Sequence, residues 1–476
     1  MSSLSARALA TMLDGWRSVA SAPAYMALAD RVRLLILDGR ISLGMRVPAE
    51  RDLAAQLGVS RTTVTAAYTE LREAGYLDSV RGSGSVARLP VQRAPMIEPL
   101  GNELLDFSIA SLPALPAVVG AAQRAAQLLP AYLGSAGFDR VGLPVLRQAI
   151  ADRYSARGLP TTPDQIMVTL GAQHAIALLA RTLLSRGDRA LVESPSYPHA
   201  FEALRNAGAR LVPVAVTSAE GWDTQGFEQS IARTSPSIGY LMPDFHNPTG
   251  ASMTPEFRER ALALAERHGT ALIADETMAD LAIDEMDPVL PFAAYGPEGN
   301  AAILVGSVGK TVWGGLRVGW VRARPRVIQQ LVRARAEGDL GTPALEQLIV
   351  ADLLGDYDSL LAIRRTQLRQ GRDRMARLLA DRLPEWSVPY VTGGVTTWVN
   401  IGVPVSSQLA LAARGEGLQI AAGPRFGMDG AFERFLRIPL GHTEAEQIRG
   451  VDALANAWAS VGRYSVAESD LLAEVV

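Results

Sequence analysis

AAILVGSVGKTVWGGLRVGW, residues 301–320, opens as an apolar run and then changes character. Positions 301–306 have the length and composition of a strand buried on both faces. Ser307-Val308-Gly309-Lys310 then puts a hydroxyl three residues before a lysine, and Gly314-Gly315-Leu316-Arg317-Val318-Gly319 puts an arginine seven residues after it. Of the 46 basic residues in the chain, Lys310 is the one lysine, and every other is an arginine. Only the lysine amine condenses with a carbonyl to form a Schiff base, which a guanidinium cannot do. Taken alone, a lysine that merely survived drift explains the count equally well, so the surroundings must decide.

Outward from this stretch, other short apolar runs stand at 165–169, 190–193, 238–243 and 270–274, each bounded by Gly, Pro or Asp and separated by helical patterns. Strands alternating with helices predict a mostly parallel sheet covered on both faces, from about residue 104 to 462. A smaller C-terminal part is expected from about residue 330, the large part being 104–329. The composition agrees with folded domains: 476 residues, 48% hydrophobic, 20% charged. With no cysteine, disulfides, thiolate metal sites and cysteine nucleophiles drop out, and no metal site is expected. The first residues lack an apolar stretch and carry Arg7, Asp14 and Arg17, so no signal peptide is read there, and no run reaches a membrane span. A cytoplasmic protein without a membrane partner is the expectation.

Each strand is followed by residues suited to one cofactor, pyridoxal 5′-phosphate (PLP), whose aldehyde, pyridine nitrogen, phenolic oxygen and phosphate make separate demands. Gly171-Ala172-Gln173 opens a helix whose first amides suit an anion. Tyr197, in Pro195-Ser196-Tyr197-Pro198, is either a ring-stacking partner or a buried loop tyrosine. Asn247, in His246-Asn247-Pro248-Thr249-Gly250, either donates to the phenolic oxygen or belongs to an ordinary turn. Asp275 closes a strand, where it pairs with a pyridinium or caps a helix. Ser307, Lys310 and Arg317 complete the order.

Nearer the N-terminus, a helical period from Tyr25 ends at Asp38-Gly39. Then come Pro48-Ala49-Glu50-Arg51, a short helix to Leu57, the turn Gly58-Val59-Ser60 and a helix from Arg61. That is a helix-turn-helix with Ser60 as N-cap, followed by a hairpin around Arg81-Gly82-Ser83-Gly84. Within residues 23–88 there are nine arginines against seven acids, and the chain's net charge is −3, so DNA affinity cannot be argued from global charge. Arg46, Arg51, Arg61 and Arg81 would have to face one way. LPVQRAPMIEPLG, residues 89–101, reads as a linker.

The string from Leu28 to Ala87 resembles the winged helix-turn-helix of GntR-family repressors along its full length. Residues 104–462 resemble a fold-type I PLP enzyme of the aminotransferase class. Together they look like the MocR/GabR group of regulators. The resemblance implies an α+β winged helix-turn-helix domain (22–89), a linker (90–103) and an α/β PLP-dependent transferase domain with a smaller C-terminal α/β subdomain. It implies that Lys310 forms the Schiff base with PLP and Asp275 pairs with the pyridine nitrogen. Tyr197 stacks on the ring, Asn247 binds the phenolic oxygen, and Gly171, Ala172, Gln173, Ser307 and Arg317 hold the phosphate. Arg437, in RFLRIPLGH, matches the arginine that grips an effector or substrate carboxylate, although a salt-bridged surface arginine is the alternative. Arg51, Ser60, Arg61, Thr62, Thr63, Thr65, Arg81 and Gly82 would contact a double-stranded DNA operator, and a homodimer is implied.

Two departures stand out. Ala49 replaces a frequent serine, and Thr277 and Met278 stand where the family carries tyrosine. The expectation is a transcription regulator that senses PLP or an amino compound through an aldimine on Lys310. The alternative is an active aminotransferase with a DNA-binding head, and physiological turnover is left open.

Overall fold

The computed structural model describes residues 3–13, 16, 23–37, 40–42, 44–80, 84–88, 104–286, 289–297, 302–428 and 430–462. Its head contains helices α1 (Ala6–Met12), α2 (Ala24–Leu37), α3 (Glu50–Leu57) and α4 (Arg61–Glu73), then the antiparallel hairpin β1 (Leu77–Val80) and β2 (Gly84–Ala87). α2 buries Leu28, Val32, Leu35 and Ile36, the i, i+4, i+7, i+8 stripe that one helix face allows. They meet Leu53, Val64, Tyr68 and Leu71 in one core. Each such leucine contributes about 1.5–3 kcal/mol of burial. Sequence reading starts the head near Ala22, but Leu9, Leu13 and Trp16 also enter this core. The apolar positions of a seven-residue helix are too few to show a period.

Gly58 ends α3 in the left-handed region at φ 63°, a conformation that costs a glycine nothing. Ser60 then caps α4, its hydroxyl accepting from the Thr63 amide at 3.1 Å. Ala49 occupies the N-cap of α3 and supplies no side-chain cap. The carboxylate of the next residue, Glu50, instead accepts from Thr65 and Arg72 of α4 (2.7 and 3.4 Å), tying the two helices together.

The remaining strands are β3 (Leu105–Asp106), β4 (Ile166–Thr169), β5 (Arg189–Ser194), β6 (Arg210–Thr217), β7 (Gly221–Trp222), β8 (Ile238–Leu241), β9 (Ala271–Asp275), β10 (Ala302–Ser307), β11 (Gly319–Arg322), β12 (Thr396–Asn400), β13 (Leu418–Gln419), β14 (Ala421–Ala422) and β15 (Phe435–Pro439). β4 to β11 build an eight-stranded sheet in the order β4-β11-β10-β9-β8-β5-β6-β7. β10, β9, β8, β5 and β6 pair in parallel, whereas β11 and β7 run against their neighbours, so the sheet is mixed. Both faces are covered by helices, and β4, β8, β9 and most of β10 are buried without alternation, as the continuous apolar runs require. The run expected over 238–243 pairs only to Leu241. The Met242 amide leaves the ladder for the buried Glu193 carboxylate at 2.9 Å, and Pro243 has no N–H to give.

A three-stranded antiparallel sheet, β12-β15-β14, and the β3-β13 pair form the smaller body. Its core combines Leu105, Phe107 and Leu112 with Leu368, Met375, Val399, Leu409 and Leu454. The helix Tyr357–Arg382 spans both bodies: Tyr357 and Leu360 pack in the large core, Leu368 and Met375 in the small one. Among the described residues no helix is long and apolar enough to cross a membrane.

Candidate functional site

The carboxyl ends of β4, β9 and β10 share one edge of the sheet, because β11 pairs antiparallel with both β4 and β10 (Gly319 opposite Thr169 and Ser307). Ligands collect at this edge in open α/β sheets. A cavity of about 630 Å³ opens there, and it brings together Gly171, Ala172, Gln173, Tyr197, Asn247, Asp275, Ser307, Lys310, Arg317 and Arg437. Every residue expected at the cofactor site thus lines one space. Thr277 and Met278 line it too, and Tyr197 is the one tyrosine among the described lining residues.

Lys310 donates from Nζ to the Ala110 carbonyl. Burial first, and then repulsion from Arg437, lowers its pKa to about 8, against the opposing pull of Asp275. Asp275 lies at the end of β9, 3% exposed. The Tyr240 hydroxyl donates to one of its carboxylate oxygens at 2.6 Å and the Thr277 amide to the other at 3.0 Å. Burial raises the Asp275 pKa, and these two bonds pull it back. Tyr197 caps the N-terminus of the helix Pro198–Asn206 in extended conformation, and burial pushes its hydroxyl up to about 12.

Gly171 adopts φ +85°, and a Cβ there would meet the Arg317 guanidinium at 3.0 Å. The arginine crosses the turn and donates to the Leu170 carbonyl at 3.0 Å, which fixes it beside the first amides of the helix Ala172–Leu183. Helix amides and a guanidinium make an anion cradle. The Ser307 hydroxyl donates to the Val318 carbonyl (3.0 Å) and accepts from the Gly309 amide (3.0 Å), so it also shapes the lysine loop. Arg437 donates to the Ser108 carbonyl and lies over the Phe426 ring at 4.8 Å. It is 8% exposed and so is not a surface arginine.

These residues fit PLP. The side-chain oxygens of Gln173 and Asn247 and Nε of Arg437 are buried without hydrogen-bond partners, atoms that a polar ligand would satisfy. The lining carries Lys310, Arg317, Arg414, Arg425 and Arg437 against one carboxylate, Asp275, a balance suited to an anionic ligand.

Sequence reading missed Tyr240, the carbonyls of Ser108 and Ala110, and Leu34 of α2, which also lines the cavity. Tyr240 reaches Asp275 only through the β8–β9 register, which pairs it with Ile273. No spacing in the chain encodes that.

In the head, Arg51, Arg61 and Thr62 are exposed, and Arg51 is 85% exposed with Asp52 at 3.5 Å. Ser60 and Thr63 are engaged in the cap, their hydroxyls 2.8 Å apart. The Thr65 hydroxyl donates to Glu50 at 2.7 Å and so braces the helix pair. Arg46 lies across Gly84 of the hairpin. Arg81 and Gly82 fall outside the described residues.

The family model for aminotransferase class I and II matches residues 102–454, and that for bacterial regulatory proteins of the gntR family matches residues 24–86. The uncharacterized HTH-type transcriptional regulator YdcR of Escherichia coli (strain K12) is 28% identical over 442 residues, covering 87% of this chain and 94% of its own. The probable rhizopine catabolism regulatory protein MocR of Rhizobium meliloti is 30% identical over 392 residues, 76% of each chain. Among solved structures, LysN, the alpha-aminoadipate aminotransferase of Thermus thermophilus complexed with N-(5'-phosphopyridoxyl)-L-leucine, superposes with a TM-score of 0.70 at 27% identity. The match covers 76% of this chain and 93% of that one. The chain belongs to the aminotransferase class I and II family and carries a gntR-family helix-turn-helix head, the pairing found in MocR-type regulators.

Proposed function

We propose that the protein is a DNA-binding transcription regulator that takes up PLP on Lys310 and responds to a small amino compound bearing a carboxylate. The observation that carries this reading is the single cavity shared by Lys310, Asp275, Tyr197, Asn247, the Gly171–Arg317 cradle and Arg437. PLP, when bound, supplies a carbonyl for amines and an electron-withdrawing ring. Asp275, held by Tyr240 and Thr277, keeps a proton at the pyridine nitrogen. Gly171, Ala172, Gln173, Ser307 and Arg317 fix the phosphate end, and Tyr197 covers the ring. Arg437, with an unused donor, receives the carboxylate of the amino compound.

On the DNA side, Arg51, Arg61 and Thr62 present the exposed end of α4 and its neighbour to the major groove. DNA fragments selected by the full chain from a random pool should bind the Arg61→Ala variant about tenfold more weakly. The dependence on log salt should shallow by about one unit if Arg61 meets a phosphate. Unchanged affinity and slope would remove Arg61 from the interface.

A second reading, a working aminotransferase, is favoured by the retention of Lys310, Asp275 and Arg437 in one cavity. Thr277 and Met278 supply no phenol there, which weighs against efficient turnover. Conversion of bound PLP to pyridoxamine phosphate with repeated turnover on a keto acid would establish it.

The protein acts as a homodimer on this reading. Val119, Leu128, Leu133 and Phe138 are 55–72% exposed within residues 119–138 of the large body, large apolar side chains of the kind that an interface between subunits covers. A second copy of the chain covers them. Sedimentation at the mass of a single chain would refute this.

A further inference from the structure

The head and the small body meet at one carboxylate. Arg40 of the head donates to Glu433 at 3.1 Å and to the Gly430 carbonyl at 3.0 Å. Arg31, on α2, lies 3.9 Å from the same carboxylate oxygen. The Arg40 and Glu433 side chains are only 12% and 13% exposed, so this contact is partly desolvated and worth more than a surface pair. Gly430 permits the approach: a Cβ there would come within 2.6 Å of the Arg40 guanidinium.

Glu433 has a second set of partners. It accepts from the Ser407 amide (3.0 Å), the Ser406 hydroxyl (3.1 Å) and the Ser407 hydroxyl (2.9 Å). These residues begin the helix Ser406–Gly415, whose own N-cap, Val405, offers no side-chain bond. The carboxylate therefore caps this helix from outside, where the helix dipole favours negative charge. Ser407, Ala410, Leu411 and Arg414 lie on one face of that helix and line the cavity that holds Lys310. Leu34 of α2 completes the same wall, 5% exposed.

We propose that Glu433 couples the DNA-binding head to the cavity: its carboxylate holds Arg31 and Arg40 on one side and the cavity-lining helix Ser406–Gly415 on the other, so that the docked head, through Leu34, closes the ligand site. The docking partner is the head of this same chain, matched by two arginines to one carboxylate. Head docking and ligand retention then favour each other, and linkage makes the coupling reciprocal. A ligand that moves the helix Ser406–Gly415 loosens or tightens the head, and DNA that draws the head away opens the cavity. The inference rests on the reading of the cavity as the PLP site.

Hydrogen exchange of the full-length protein, with and without PLP, tests it together with the rate of PLP loss followed by the absorbance of lysine-bound cofactor. In the wild type, PLP should slow exchange in both 24–37 and 406–415. Arg31→Gln with Arg40→Gln leaves the cap of the helix intact; it should free α2 to exchange and speed PLP loss by about fivefold or more. Glu433→Arg alone should do the same, and pairing it with Arg40→Glu should recover part of the effect, which separates coupling from misfolding. If α2 loosens while PLP loss is unchanged, or if PLP leaves α2 exchange unaltered although the lysine band forms, the coupling is overturned and the PLP reading stands. If the wild type forms no lysine band, both fall.

Discussion

Lys310→Ala yields a protein that shows no absorbance band of lysine-bound PLP at any cofactor concentration. The chain holds no second lysine and a guanidinium cannot replace it, so the loss is complete and PLP affinity falls by on the order of a hundredfold or more, some 3 kcal/mol. The wild type adds a pH signature. The amine must be neutral to attack the carbonyl, and its pKa is lowered to about 8 by burial and by Arg437. Roughly one tenth of Lys310 is neutral at pH 7, so the rate of PLP capture should rise roughly tenfold on going to about pH 9 and then level off. The sign follows from the direction of the shift: lowering a lysine pKa enlarges the neutral fraction near neutrality. A rate still climbing tenfold per pH unit above pH 9 would mean an ordinary lysine and would refute the buried setting. Arg437→Gln removes one cause of the depression, so the plateau should move to higher pH.

Arg364→Met should be the most destabilising substitution near the site, costing about 3–5 kcal/mol. Arg364, on the helix Tyr357–Arg382 and 1% exposed, donates to the carbonyls of Thr311 (2.9 Å), Val312 (2.8 Å) and Pro113 (3.0 Å) and to the Gln367 side chain (2.8 Å). Removing the guanidinium leaves the buried Thr311 carbonyl unpaired and the buried Val312 carbonyl with only a long bond from the Leu115 amide (3.4 Å), each such loss costing about 1–3 kcal/mol. Thr311 and Val312 directly follow Lys310, so the lysine loop should also slacken, and PLP should leave faster even where the variant still folds. Arg364→Lys keeps the charge but cannot fork toward three acceptors, so it should recover only part of the loss. Urea unfolding and PLP release measure the two effects separately; a stability loss under about 1 kcal/mol would show that the bonds are not holding the loop.

Much of the architecture was legible because it rests on local patterns. The apolar runs of β4, β5, β8, β9 and β10 have strand length and turn-forming borders, and the residues that follow them are the ones at the sheet's carboxyl edge. Gly58 and Ser60 announce the helix-turn-helix, since a left-handed turn and an N-cap are properties of single residues. α1 was not legible: a seven-residue helix presents barely two turns of periodicity. The partner of Thr65 was not legible either: packing of α3 on α4 sets its hydroxyl against Glu50.

The sequence by itself determined the single lysine, the order along the chain of the residues that line the cavity and the presence of a gntR-type helix-turn-helix head. Those follow from side-chain chemistry and short spacing, which the chain carries without folding. Tertiary structure alone decided that Tyr240 braces Asp275, that Arg364 pins the lysine loop, and that Arg31, Arg40 and Leu34 of the head reach Glu433 and the cavity nearly 400 positions away, as in the 393-residue separation of Arg40 and Glu433. Contacts of that kind depend on strand register and domain docking, where a hydrogen bond joins residues whose distance along the chain carries no signal.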